Sequence, residues 1–95
     1  MYKIIHASAD YLFCSFEFEN VETGERIFGD FFDDPLYSLL ENMKLHYPHE
    51  LEGKELEAIP SELRLRKINE AKELSKHHID GAWLYPWLKK NTEDI

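Results

Sequence analysis

The chain has 95 residues and a formal net charge of −8, and 43% of its residues are hydrophobic and 14% aromatic. This length predicts one domain (1–95) with one small core, and the apolar content excludes an intrinsically disordered chain. The acidity disfavours direct binding to nucleic acid or to anionic membranes, because both of those surfaces are negatively charged. The sequence has neither an apolar run long enough to span a membrane nor the apolar segment of a signal peptide, so we expect a cytoplasmic protein.

The negative charge is concentrated in the first third of the chain. Residues 1–34 carry eight acidic and two basic side chains, a net charge of −6, whereas residues 35–60 carry −3 and residues 61–95 carry +1. A field of this sign accelerates encounter with a basic protein surface. Acidity also keeps a small protein soluble, and the sequence leaves both interpretations open.

Alternation of apolar and polar residues predicts an antiparallel β-meander over residues 1–32. Residues 2–8 indicate a first strand. In the next segment Cys14, Phe16 and Phe18 alternate with polar residues, which is typical of a strand with one buried face. The position of Cys14 in this pattern predicts a buried thiol, and as the only cysteine it cannot form a disulfide within the chain.

The third predicted strand follows a turn at residues 22–25, where Gly24 is the residue best able to adopt a positive φ angle. This strand runs from Ile27 to Phe32, and both of its faces are partly apolar. An exposed apolar face invites contact with other chains. We therefore expect another segment of the protein, or a partner, to cover the second face.

A helix is predicted over residues 34–47. Asp33 or Asp34 can cap its first turn, Pro35 suits the first helical position, and an apolar stripe with helical spacing continues to Tyr47. Residues 48–60 are polar and predict a long loop.

A second helix is predicted over residues 61–79, with Ser61 as its N-cap. Its apolar stripe has the spacing of one helix face and consists of Leu65, Ile68, Ala71 and Leu74. The predicted fold is therefore α+β: a three-stranded antiparallel β-meander followed by two amphipathic helices and a short aromatic C-terminal helix or turn.

The aromatic tail, residues 82–90, has two interpretations. Tryptophan and tyrosine dominate the energetics of many interfaces, so the tail could anchor a partner. Two tryptophans also commonly close a small core. We favour the second interpretation, in which the tail folds over the second face of the sheet and buries some of its apolar side chains: Trp83, Leu84, Trp87 and Leu88.

No catalytic, metal-binding or phosphate-binding motif is present, so we predict no catalytic residues, no metal and no cofactor. His46 and His49 could converge in a turn, but they lack the ligand spacing of known zinc sites. Helix capping accounts for Asp33 or Asp34 without an ion. A small metal-dependent enzyme, with these histidines and aspartates as ligands, is a third interpretation.

We predict a small acidic protein-binding module, an inhibitor or immunity-type protein that blocks the basic surface of a nucleic-acid-handling enzyme. Carboxylates on a rigid scaffold can occupy the positions that phosphates would take, and aromatic side chains supply desolvated contacts. The predicted contact residues all lie on the hairpin: Glu17, Glu19, Glu22, Glu25, Phe28, Asp30 and Phe32. The alternative is a structural or regulatory subunit that forms a homodimer through the edge of the hairpin.

Overall fold

The computed structural model describes residues 1–10, 13–32, 40–79 and 82–88, and its main element is a five-stranded antiparallel sheet. The strands lie in the order β4-β1-β2-β3-β5. Their bounds are β1 Tyr2–Asp10, β2 Phe13–Asn20, β3 Arg26–Phe32, β4 Glu55–Leu56 and β5 Arg64–Arg66. The two longest pairings join neighbours along the chain, and the two short strands extend the sheet at its edges.

Smaller elements complete the described structure, and residues 40–42 and 86–88 are also helical. A 3-10 helix spans Pro48–Leu51, and an α-helix, α1, spans Ile68–Leu74. Strands β6 (His78–Ile79) and β7 (Ala82–Trp83) form a separate two-stranded sheet. Among the described residues, no helix is long and apolar enough to cross a membrane.

One face of the large sheet, here called the apolar face, is formed by the side chains that the alternation in β2 predicts. Cys14, Phe16 and Phe18 are at most 2% exposed. Phe16 stacks on Phe18 and Phe31, with ring centroids 5.8 and 5.4 Å away. Residues from the connecting segments cover this face: Leu40, Leu51 and Leu63.

The opposite face, here called the polar face, carries Ser15 and Glu17 of β2 beside Phe28 and Asp30 of β3. All four are buried. Its cover is α1 together with residues 82–88, here called the C-terminal segment. The second apolar cluster lies between them: Phe13, Phe28, Ala71, Ala82, Leu84, Tyr85 and Leu88. Burial of Leu84 and Leu88 confirms that the tail closes the core, while Trp87 is half-buried.

The predicted fold class is wrong in its second half. The three strands of the meander are present, but they are the centre of a five-stranded sheet, and the described structure is mostly β. Within the helix predicted over 34–47, residues 40–42 are helical and residues 43–44 form a turn. Residues 34–39 of this predicted helix, and its predicted capping residue Asp33 or Asp34, lie outside the described residues.

The predicted loop and second helix are replaced by short elements. The 48–60 segment contains the 3-10 helix and β4, which pairs with Tyr2 and Lys3 of β1. The 61–79 segment contains β5, which pairs with Phe28–Asp30 of β3, and only then the seven residues of α1. The open edge of β3 offers backbone partners that an isolated helix does not have, so pairing overrides the helical spacing of Leu65 with the rest of the stripe.

Candidate functional site

A buried carboxylate, Asp30, ties three segments of the chain together on the polar face. Its Oδ2 atom accepts a hydrogen bond from the Tyr85 hydroxyl at 2.8 Å and one from Arg66 Nε at 3.1 Å. Asp30 is 2% exposed, so these bonds replace the water that the carboxylate loses on folding. The pair of partners comes from β5 and from the C-terminal segment.

Tyr85 has an unusual backbone conformation that this arrangement holds in place. Its φ angle is +53°, in the left-handed region that bulky residues rarely adopt. Its backbone N–H donates to Ser15 Oγ at 3.0 Å, and its ring meets Phe28 edge-on. The side chain is fully buried. Local strain at Tyr85 is therefore offset by contacts that exist only when the C-terminal segment lies on the sheet.

The protonation of both partners of Asp30 follows from their surroundings. Burial, the negative charge of Asp30 and the hydrogen bond to it together raise the pKa of Tyr85 far above its ordinary value. Partial burial disfavours the cationic form of Arg66, but the hydrogen bond and the charge of Asp30 outweigh it and raise the pKa of that guanidinium. Tyr85 is therefore a neutral donor and Arg66 a permanent cation.

A second buried carboxylate, Glu17, holds the end of the C-terminal segment. Its Oε1 accepts from the indole Nε1 of Trp87 at 2.8 Å, and its Oε2 accepts from Arg26 Nη1 at 2.8 Å. Arg26 also bridges to Glu19 at 3.1 Å. The imidazole of His6 stacks on Trp87, with ring centroids 4.9 Å apart. Among the described residues, every buried side-chain nitrogen or oxygen has a partner.

The hairpin turn, residues 20–25 and here called the acidic turn, is held rigidly but exposes its side chains. Asn20 Oδ1 accepts from the backbone N–H of Glu22 and of Thr23, at 3.0 and 3.4 Å. Thr23 Oγ1 accepts from Glu25 N at 3.2 Å, and Gly24 adopts a φ of +78°. Val21, Glu22 and Glu25 are exposed. The turn thus presents two carboxylates and an exposed apolar side chain, Val21, which is 45% accessible.

An open groove of about 1440 Å³ begins beside the acidic turn. It lies along β3, β5 and α1 and extends to the C-terminal segment. Apolar side chains that line it include Leu65, Ile68 and Trp87, and Glu25 lines it at the turn. Other lining side chains are of both charge signs. A groove of this kind offers apolar contacts next to the acidic turn without a strong charge of its own.

The predicted contact residues separate into two groups in the structure. Glu17, Phe28 and Asp30 are buried, with exposures of 8%, 3% and 2%. Their contacts are internal ones, since they hold the C-terminal segment. Glu19 is partly exposed and bonded to Arg26, and Phe32 is the last residue of β3. Glu22 and Glu25 are exposed at the surface.

The residues that sequence reasoning missed are Arg26, Arg66, Ser15 and Tyr85. They lie far apart in the chain and meet only because β5 and the C-terminal segment join the hairpin. One signal in the sequence pointed to them. The third strand has apolar residues on both faces, which required a cover for the face that carries Glu17 and Asp30.

The hairpin edges predicted as a dimer interface are partly occupied within the chain. β5 pairs with residues 28–30 of β3, and β1 pairs with β2. Across the residues that the structure describes, no three His, Cys, Asp or Glu side chains lie together as metal ligands. His49 stacks on Tyr47 at 5.7 Å, and the backbone N–H of His46 donates to Glu50.

Comparison with known proteins identifies no relative. No protein-family model matches the chain, and no curated protein or solved structure is significantly similar to it.

Proposed function

We propose that this protein is a small protein-binding module, of the inhibitor or immunity type, that docks its acidic turn on a basic surface of a partner such as a nucleic-acid-handling enzyme. One observation carries the proposal. The acidic turn is held by its own backbone and side-chain hydrogen bonds, yet Val21, Glu22 and Glu25 are exposed. A loop held on a rigid sheet is the usual position for binding residues.

Rigidity matters because binding costs conformational entropy. Loops that are already ordered lose less freedom when they dock, so more of the contact energy appears as affinity. Glu22 and Glu25 supply electrostatic steering toward a positive surface, and Val21 supplies apolar contact area in the same turn. The groove beside Glu25 gives an apolar side chain of the partner a second place to bury.

The buried carboxylates take no direct part in this proposal. Glu17 and Asp30 are already paired with arginine and with donors of the C-terminal segment. We include a cytoplasmic location in the proposal, because a buried cysteine outside any disulfide, Cys14, suits a reducing compartment.

The test compares two double variants with the same change in net charge. Glu22→Lys/Glu25→Lys reverses the acidic turn, and Glu62→Lys/Glu73→Lys reverses two exposed residues outside it. Each protein is immobilised and exposed to host lysate at low salt, and any captured protein is identified and purified. We expect the native chain and the control variant to hold the same basic protein, and the turn variant to lose it.

Kinetics with that purified protein then sharpen the result. Reversal of the turn should slow association by at least about tenfold and reduce its dependence on salt, because steering acts mainly on the association rate. Equal association rates for the turn variant and the control variant, or no basic protein held by the native chain, would contradict the proposed function.

A further inference from the structure

The two edge strands of the sheet carry complementary sequences. On one edge, β4 and the residue after it read Glu55-Leu56-Glu57, and on the other edge β5 reads Arg64-Leu65-Arg66. Among the described residues, no strand pairs with the outer side of either. We propose that these edges bind each other between copies of the chain, so that β5 of one molecule adds to β4 of the next.

The direction of the strands fits this pairing. Every neighbouring pair in the sheet is antiparallel, so β4, β2 and β5 all run in the same direction. Two copies placed side by side with the same face up therefore bring β4 and β5 together as a parallel pair. Adjacent strands in a sheet are twisted by about 20–25°, so successive copies are also rotated.

The side chains of the two edges match face by face. Leu56 packs against the core of the apolar face. Leu65 is paired with Gly29 across the two strands, so both residues face the same side of the sheet. A Cβ atom at Gly29 would contact Leu63, which belongs to the core of the apolar face. Both leucines thus belong to the apolar face. Glu55 and Arg64 alternate with them and belong to the polar face. Pairing would place leucine beside leucine and glutamate beside arginine.

Both edges carry side chains that a second copy of the chain could contact or pair with. Leu65 is 59% exposed and offers apolar surface to a neighbouring strand. Glu55 and Arg64 form no ion pair with any described residue. Opposite charges on neighbouring strands attract, and like charges repel. Two β5 strands or two β4 strands would therefore repel each other, which disfavours a two-fold dimer through either edge.

The expected assembly is weak and head-to-tail. The contact uses only two or three residues of each strand, which is small for a stable interface. A head-to-tail contact continues from copy to copy unless the rotation closes a ring. The surface is distinct from the acidic turn, so this inference does not depend on the proposed function.

The experiment measures molar mass by sedimentation equilibrium for the native chain at about 1 μM to about 1 mM, the range in which weak interfaces dissociate. At low salt the average mass should rise above the 11.3 kDa of one chain, and high salt should reduce it. Arg64→Glu alone and Glu55→Arg alone should each lower the association constant by at least about tenfold, because both create like-charged edges.

Mixing the two single variants provides the decisive result. In the mixture each edge of one variant again faces an opposite charge on the other, so association should return, as it should in the double variant Arg64→Glu/Glu55→Arg. Lys76→Glu and Glu41→Arg make the same charge changes at other exposed positions and should leave association unchanged. A native chain that stays at 11.3 kDa throughout, or a mixture that stays monomeric while both variants keep the native circular dichroism spectrum, would overturn the inference.

Discussion

The apolar face and the polar face of the same sheet differ in what holds their covers in place. On the apolar face, Phe16 and Phe18 pack against Phe31 and leucines, and any well-shaped apolar cover would bury them. On the polar face, Asp30 and Glu17 accept hydrogen bonds from particular donors of the C-terminal segment. Apolar burial is non-directional, whereas a buried carboxylate requires defined partners. The polar face therefore determines which segment covers the sheet and how it lies.

Truncation on the apolar face should have the largest effect. Phe16→Ala removes a side chain that is 1% exposed and leaves a cavity between Phe18 and Phe31. We expect the free energy of unfolding, measured with urea, to fall by about 3–5 kcal/mol. Leu65→Ala, at a residue 59% exposed, is the control and should change it by less than about 0.5 kcal/mol. Similar losses for both variants would show that Phe16 is not in a packed core.

Breaking the polar face should come close to that loss. Asp30→Ala leaves the Arg66 guanidinium and the Tyr85 hydroxyl without their acceptor. Because removal of one member of a buried pair costs about 3–5 kcal/mol and Arg66 keeps some exposure, we expect about 3 kcal/mol. Glu22→Ala in the acidic turn, where the carboxylate is exposed, is the matched control with an expected change below about 0.5 kcal/mol. An equally small change for Asp30→Ala would mean that its carboxylate is at the surface.

Alkaline pH should weaken the polar face selectively. The pKa of Tyr85 is raised in the folded protein above its ordinary value of 10.0, so the stabilisation is complete below pH 10 and is lost as the pH rises. Above pH 10 the unfolded chain releases the Tyr85 proton while the folded chain keeps it. The free energy of unfolding should then fall by about 1.4 kcal/mol per pH unit from this residue.

Urea unfolding of the native chain and of Tyr85→Phe from pH 8 to pH 11 isolates that contribution, because the other titrating groups are common to both. The difference in stability between the two proteins should be constant below pH 10 and should shrink above it. A difference that stays constant to pH 11 would contradict burial of the Tyr85 hydroxyl against Asp30.

Loss of the hydrogen bond between Trp87 and Glu17 should have the smallest effect. Trp87→Phe keeps an aromatic ring but removes the indole N–H that donates to Glu17, while Arg26 still bonds to the carboxylate. We expect a loss of about 1 kcal/mol in the free energy of unfolding. The same change made in a Glu17→Ala background, which lacks the side-chain acceptor, should cost less. An equal loss of stability in both backgrounds would show that Trp87 and Glu17 do not interact.

The sequence predicts the apolar face better than the polar face for a physical reason. Alternation in β2 directly reports which side chains face a core, and Cys14, Phe16 and Phe18 are buried as that pattern indicates. The same pattern assigns Glu17 and Asp30 to solvent, because polarity alone does not reveal a cover. Their partners, Trp87 and Tyr85, lie 70 and 55 residues away in the chain, and only tertiary structure brings them together.

The helix predicted over 61–79 fails for a related reason. Leu65 has the spacing of the helical stripe with Ile68, Ala71 and Leu74, and a local pattern cannot show that an open strand edge is nearby. In the structure β5 takes the edge of β3, and only Ala71 of the stripe becomes fully buried in α1.

For the candidate site, the exposed positions Glu22 and Glu25 follow from the turn chemistry around Gly24, which is local and readable from the sequence.

The hydrogen bond between Tyr85 and Asp30 is the contact that holds the C-terminal segment on the polar face. A double-mutant cycle with Asp30→Ala, Tyr85→Phe and the combined variant measures the coupling between these two side chains in urea unfolding. We predict that the combined loss is smaller than the sum of the single losses by about 1–2 kcal/mol. Strictly additive losses would mean that the two side chains do not interact, and would contradict the role of this hydrogen bond in holding the C-terminal segment on the sheet.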